Sequence, residues 1–178
     1  AALDPRMAER TLTFNGLAKT YSMTGWRLGW VAGPKNVIAA IRKLMSHETT
    51  NPVSFAQAGA LAAYTDPQAE KDLIAMRAEF EKRGKHMADR LNAIDGVTCC
   101  EPTGAFYCFP DVSAYFGREL AGVAVSGSME FARVALDKAN IAVVPGVEFG
   151  EDRCVRLSFA TSMEKINEGI DRLEALLK

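Results

Sequence analysis

The chain has 178 residues, 48% of them hydrophobic, and a formal net charge of -1, which is enough apolar material for one ordinary domain or two small ones. Its sequence pI of about 6.2 gives no basic footprint for nucleic acid, and no apolar run approaches the length of a membrane span. The four cysteines, Cys99, Cys100, Cys108 and Cys154, lack CxxC spacing and only two histidines accompany them. No metal site is therefore expected, and the thiols read as reduced and buried. With no charged-then-apolar leader at its start, the chain is expected to be cytoplasmic.

In chain order, Thr11-Leu12-Thr13-Phe14 alternates as a strand does, and Leu28-Gly29-Trp30-Val31-Ala32 reads as a second. The connection between them, Asn15 to Arg27, places Lys19 on a loop that a rigid sheet would position. From spacing alone, a lysine there is an ordinary solvated side chain. The residue types allow more. A lysine amine condenses with an aldehyde only when neutral, and burial beside a cation lowers its pKa enough for that. Arginine offers a planar fork of donors that suits a phosphate monoester. Gly16, Gly25 and Gly29 let backbone approach a ligand closely.

The segment Asn15-Gly16-Leu17-Ala18-Lys19-Thr20-Tyr21-Ser22-Met23-Thr24-Gly25-Trp26-Arg27 resembles the pyridoxal-phosphate lysine motif of class I/II aminotransferases of fold type I, Ser-x-Ser-Lys followed by Gly-x-Arg. The resemblance puts Lys19 on the lysine that holds pyridoxal 5'-phosphate as a Schiff base, and Arg27 on the arginine that grips the cofactor phosphate. Gly16 and Ala18 stand where the family usually has hydroxyl residues, so one phosphate contact is expected to be weakened. In the family a long N-terminal half precedes this point and carries the groups on the cofactor ring. Here Ala1-Ala2-Leu3-Asp4-Pro5-Arg6-Met7 leads straight into the lysine strand, so the chain is expected to be the C-terminal portion of such an enzyme.

Gly33-Pro34 opens a helix through Leu44, with Ile38, Ile41 and Met45 at helical spacing. The polar connection Ser46 to Pro52 follows, and Ser54-x-x-Gln57 has the capping-box pattern for an alanine-rich helix through Tyr64. By the family resemblance, Thr50 and Asn51 would lie near the neighbouring active site of a homodimer; a plain helix connection explains them equally well. His47 reads as a surface or interface residue. From Pro67 to about Ile94, Leu73, Met76, Phe80, Met87, Leu91 and Ile94 line one helical face, unless Gly84 interrupts the helix, and His86 falls on the solvated side. The resemblance makes this the helix joining two domains: residues 1–75 as the end of the large cofactor-binding α/β domain, and 76–178 as the small C-terminal α/β domain.

After the Asp95-Gly96 turn, Val97–Glu101 and Ala105–Phe109 read as strands around Pro102-Thr103-Gly104. A helix over Met129–Asn140 and a buried strand Ile141–Val144, stopped by Pro145-Gly146, come next. Cys154–Ala160 is the last strand, and Thr161-x-x-Glu164 caps a closing helix with Ile166, Ile170, Leu173 and Leu177 buried. The order suggests helices on a mainly antiparallel sheet, an α/β architecture.

In the last strand, period-2 geometry puts Val155, Leu157 and Phe159 on one face and Arg156 with Ser158 on the other. An arginine on a polar strand face is ordinarily just solvent-facing. Yet Cys154-Val155-Arg156-Leu157-Ser158-Phe159-Ala160 resembles the family's final strand, whose arginine clamps the substrate α-carboxylate; guanidinium and carboxylate match as two parallel hydrogen bonds. Pro145-Gly146-Val147-Glu148-Phe149-Gly150 and Gly104-Ala105-Phe106-Tyr107 also resemble family segments, although Phe106 reads first as core.

The resemblance implies transfer of an amino group between an amino acid, aspartate-type first, and a 2-oxo acid. Ser46 stands where one dicarboxylate-specific subgroup carries an arginine, which leaves the side-chain specificity open. A pyridoxal-phosphate lyase of the same fold, and a cofactor-free fragment or interaction protein, are the alternatives.

Overall fold

The computed structural model describes residues 4–178. The chain forms two compact units, one ending at Ala75 and the other running Met76–Lys178.

The first unit is built on a two-stranded antiparallel ribbon. β1 (Thr13–Gly16) pairs with β2 (Gly29–Ala32) in a register running from Thr13 opposite Ala32 to Gly16 opposite Gly29. Between them the chain makes a four-residue helix, α1 (Leu17–Thr20), and a 3-10 turn at Thr24–Trp26. The expected loop is thus partly helical: Leu17 is buried, and Tyr21 N–H donates to the Leu17 carbonyl to close the turn. α2 (Lys35–Glu48) follows Pro34, and α3 (Ser54–Thr65) follows Val53. The Ser54–Gln57 capping box does not form. Val53 is the N-cap, and the Gln57 amide Nε2 donates to the Pro52 carbonyl at 2.8 Å.

α3 braces the α1–β2 connection. Gly59 lies so close to Trp26 that a Cβ there would sit 2.6 Å from the indole. The Trp26 and Phe55 rings meet edge-on with centroids 6.1 Å apart, Tyr21 and Tyr64 at 5.2 Å, and Trp30 Nε1 donates to the Tyr64 hydroxyl at 2.8 Å. A small residue at 59 and aromatics at 55 and 64 are what let the helix grip that connection.

α4 (Pro67–Asn92) is one continuous helix containing the division between the units. Gly84 does not interrupt it; the residue is buried, and a Cβ would fall 2.9 Å from Phe159 and 3.0 Å from Pro102. The helix interior therefore holds a glycine because another part of the chain approaches closely.

The second unit packs α4's C-terminal part, α5 (Ser128–Ala139) and α6 (Met163–Leu177) on a three-stranded antiparallel sheet ordered β3–β7–β6. β3 is Tyr107–Cys108, β6 is Val144–Pro145 and β7 is Val155–Ser158. Pro145 lacks an N–H, which suits its edge strand. Phe131, Leu91, Val155, Ile166, Ile170 and Leu173 are almost wholly buried, each worth roughly 1.5–3 kcal/mol of transfer free energy. Leu177 is half-buried, at the edge of the α6 stripe.

Three sequence expectations are shortened or shifted by local chemistry. Val97–Glu101 forms no strand beyond a single bridge between Thr98 and Asp111. The Asn92 side chain takes the strand's place: its amide exchanges two 2.8 Å hydrogen bonds with the Cys99 backbone, N–H to Oδ1 and Nδ2 to carbonyl. The Ile141–Val144 strand begins only at Val144, because α5 ends in a left-handed cap. Asn140 is left-handed at φ 53°, its N–H donates to Leu136, and the Ile141 N–H goes to Ala135. α6 is capped by Ser162 rather than Thr161, its hydroxyl accepting from the Lys165 N–H. The sequence reading also missed a hairpin, β4 (Arg118–Leu120) with β5 (Val123–Val125). Its two loop residues, Ala121 and Gly122, both have positive φ, as a type I′ turn requires.

Candidate functional site

Lys19 and Arg27 leave the β1–β2 ribbon at the same end. Gly16 and Gly29 form the last pair of the ladder, and the Leu17 N–H donates to the Leu28 carbonyl just beyond it. A Cβ on Gly29 would stand 3.0 Å from the Asn15 carbonyl, so the strands close tightly there. Lys19 sits in the last turn of α1, while Arg27 follows the 3-10 turn in the left-handed region at φ 51°. Both side chains are exposed. Arg27 Nη1 donates to the Thr24 carbonyl at 3.0 Å, which anchors the head group and leaves the rest of its donor fork for a ligand.

Left-handed backbone marks three positions of this unit, as it marks Ala105, Ala121 and Asn140 of the other. Ser22, Arg27 and Thr50 are non-glycine residues with φ of 53°, 51° and 64°. A β-branched residue such as Thr50 is rarely found there, and strain of this kind gathers at ligand sites. Thr50 and Asn51 are exposed on the connection after α2. Ser46 Oγ donates to the Lys43 carbonyl at 2.7 Å, so its hydroxyl serves its own helix.

Arg156 belongs to the other unit. On β7 it pairs with Val144, and it faces away from the core side that buries Val155 and Leu157. Its guanidinium carbon lies over two rings, 4.3 Å from the centroid of Tyr107 and 4.6 Å from that of Phe149. No carboxylate of the described residues is within ion-pair distance of it. Phe106, half-buried, packs against the core with its ring 6.2 Å from Phe80.

The family model "Aminotransferase class I and II" matches residues 1–173. The chain belongs to the class I and II aminotransferases. It is 46% identical over 176 residues to an aspartate aminotransferase of Streptomyces avermitilis, covering 97% of this chain and 42% of that protein. The crystal structure of the aspartate aminotransferase from Rhizobium meliloti superposes on 98% of the chain and 44% of its own, at 37% identity and a TM-score of 0.92. An aromatic aminotransferase from Pyrococcus horikoshii matches at 40% identity and a TM-score of 0.87, covering 99% of this chain and 45% of its own. The chain thus spans less than half the length of the relatives it matches. The fold is that of fold type I, and enzymes of the aspartate aminotransferase family use pyridoxal 5'-phosphate.

The aminotransferase motif residues fit that group by their chemistry. An amine and a guanidinium emerge from one end of a ribbon, and Gly25 between them has no heavy atom within 4 Å of where its Cβ would be. A lysine can condense with the cofactor aldehyde, and an arginine fork can take a phosphate. What sequence reasoning missed is the aromatic seat of Arg156. Both Tyr107 and Phe149 lie in segments that resembled the family, but residues that pair through a ring face leave no periodic signal. His86 was also misplaced. It is half-buried, with Nε2 2.6 Å from Asn167 Oδ1, in a network that includes Arg90 and Asp171.

Proposed function

We propose that this chain is the C-terminal portion of a pyridoxal-phosphate-dependent aminotransferase, with Lys19 as its catalytic and cofactor-holding residue. The observation that carries the reading is the joint exit of Lys19 and Arg27 from the closed end of the β1–β2 ribbon. Arg27 holds the cofactor phosphate, and its anchorage to the Thr24 carbonyl fixes the fork in advance. When bound, the cofactor supplies an electron sink for the carbanion formed at the substrate Cα. Lys19 would hold the cofactor through its aldehyde, and the Lys19 Nζ is the group that would take and return the proton at the substrate Cα. Arg156 binds the substrate α-carboxylate through two parallel hydrogen bonds and so orients the amino acid.

The amino donor is proposed to be aspartate or a close analogue, because the Streptomyces avermitilis and Rhizobium meliloti relatives are named for it. The enzyme works as a homodimer in the cytoplasm, with Thr50 and Asn51 near the neighbouring active site; the strained φ of Thr50 supports a role for that turn. An N-terminal half, which the relatives have and this chain does not span, completes the site.

The test is Lys19→Ala in the complete enzyme, read by aminotransfer from L-aspartate to a 2-oxo acid and by mass after borohydride reduction. The wild type should carry a reduced cofactor adduct on Lys19, and the variant should lose the adduct and about 10²–10⁴-fold in rate. An adduct on another lysine sinks the assignment. Ammonia released without a keto-acid acceptor would make the enzyme a lyase instead.

A further inference from the structure

The Arg156 guanidinium lies over two rings and has no ion-paired carboxylate among the described residues. We propose that Tyr107 and Phe149 are positioning residues that set the Arg156 guanidinium for the substrate carboxylate. The inference rests on the reading of Arg156 given above.

Three observations converge. The guanidinium carbon is 4.3 Å from the Tyr107 centroid and 4.6 Å from the Phe149 centroid, well inside the range of cation–π attraction. A ring face attracts the cation but accepts none of its N–H bonds in the guanidinium plane, whereas a protein carboxylate would occupy that fork and compete with substrate. Finally, the seat is built rather than incidental. Tyr107 lies on β3, hydrogen-bonded beside β7, and its ring is packed 4.4 Å from that of Phe106.

The turn that carries Phe149 is held by a hydrogen-bond network. Phe149 ends the 3-10 turn Gly146–Phe149. The buried Ser128 hydroxyl accepts from the Val147 N–H at 3.1 Å and donates to Asp152 Oδ1 at 2.7 Å, while the Ser128 N–H donates to the same oxygen. The Gly146 N–H donates to the Cys154 carbonyl at 2.9 Å, and a Cβ on Gly146 would stand 2.2 Å from two carbonyl oxygens. The backbone of the turn is thus locked on both sides, and the Phe109 ring meets that of Phe149 edge-on at 5.9 Å.

The experiment compares Tyr107→Leu, Phe149→Leu, Tyr107→Phe and Arg156→Leu in the cofactor-loaded complete enzyme, reading kcat and KM for L-aspartate. Each Leu variant at 107 or 149 should raise KM about three- to tenfold with kcat little changed. Tyr107→Phe, which keeps the ring face, should stay within about twofold. Arg156→Leu should cost about a hundredfold or more in kcat/KM, since it removes two charge-assisted hydrogen bonds. A second reading needs no turnover. The Arg156 Nε–H resonance of the wild type should be shifted upfield by the rings and move toward the position of a solvated arginine in Phe149→Leu.

If Arg156→Leu leaves KM unchanged, the carboxylate assignment falls. If it raises KM while Tyr107→Leu and Phe149→Leu do not, only the seat falls. Loss of kcat alone, or an Nε–H already at its solvated position, likewise overturns the seat. Phe149 is half exposed, so its Leu variant keeps the fold and decides the matter even if Tyr107→Leu does not fold.

Discussion

The two units spend their apolar residues differently. Among the described residues up to Ala75, only Leu17, Met23 and Ala56 are buried apolar side chains, while Phe14 is 70% exposed and Phe55 69%. From Met76 onward, one connected core runs from Met87 to Leu173 and includes Phe131, Val155 and Ile170. The second unit holds itself together by burial. The first is held by a ribbon, a braced connection and ring-to-ring contacts, and it leaves large apolar surfaces uncovered. Both nevertheless carry candidate chemistry: Lys19 and Arg27 on the thinly packed unit, Arg156 on the densely packed one. A positioned cation therefore does not require a core beneath it, but it does require a rigid attachment, which a closed ribbon end provides in one unit and a central strand in the other.

The sharpest way to break that comparison is to remove an aromatic from each. Phe131→Ala should cost about 3–5 kcal/mol of stability in denaturant unfolding, through lost transfer energy and the cavity left behind. Phe14→Ala in the 178-residue chain should stay within about 0.5 kcal/mol, because little of its ring leaves water on folding. If the same Phe14 variant costs several kcal/mol in a longer protein, the exposed face is covered there. A large effect in the 178-residue chain itself would mean that the contrast between the units is wrong.

Glycine substitutions make a smaller cut. In α4, Gly84→Ala gains about 1 kcal/mol in helix propensity but drives a methyl against Phe159 and Pro102, so a net loss of about 1 kcal/mol is expected in thermal unfolding. In α3, Gly59→Ala meets the Trp26 ring at 2.6 Å, yet that side chain is 43% exposed and can swing aside. Its stability should change by less than that of Gly84→Ala, with the Trp26 fluorescence shifted instead. Equal losses at both sites would show that the α1–β2 connection is as tightly packed as the core.

Much of this organisation is legible in the sequence, for reasons that differ by element. Long amphipathic helices are clear because many residues repeat one signal, as Ile166, Ile170 and Leu173 do in α6. Period 2 put Arg156 and the buried Val155 and Leu157 on opposite faces of β7, as observed. Short elements fail where a single side chain or turn decides. Asn92 satisfies the Cys99 backbone and removes a strand, and Ala121-Gly122 makes a hairpin turn without the usual Asn-Gly. The helical turn under Lys19 depends on burying Leu17, a tertiary fact. For the site, the motif residues were legible only through family likeness. The ring seat of Arg156 was not legible at all, because Tyr107 and Phe149 meet it through the sheet and a turn.

The smallest expected effects lie on the surface, where the two units are alike. Each carries an acid two residues ahead of an arginine: Asp4 with Arg6, and Glu151 with Arg153, whose Nε and Nη2 each stand 2.9 Å from a different carboxylate oxygen of Glu151. Hydrogen bonds from the guanidinium hold Asp4 below its ordinary range and bring Glu151 down to about 2. A depressed carboxylate stabilises the fold above its unfolded pKa, and that contribution fades as pH falls from about 4.5 through 2. Here it should be close to nothing. Both pairs are solvent-exposed, and partners two residues apart also meet in the unfolded chain, so the reference state shifts with the native one. Carboxyl NMR should show the Glu151 midpoint near 2 and its return toward the ordinary glutamate range in Arg153→Ala, with unfolding midpoints at pH 3 and 7 differing equally in variant and wild type. A variant less stable than the wild type at pH 7, with the gap closing toward pH 3, would mean that Glu151 and Arg153 secure the chain between the Gly146–Phe149 turn and β7, and that the second unit is held at its rim as well as in its core.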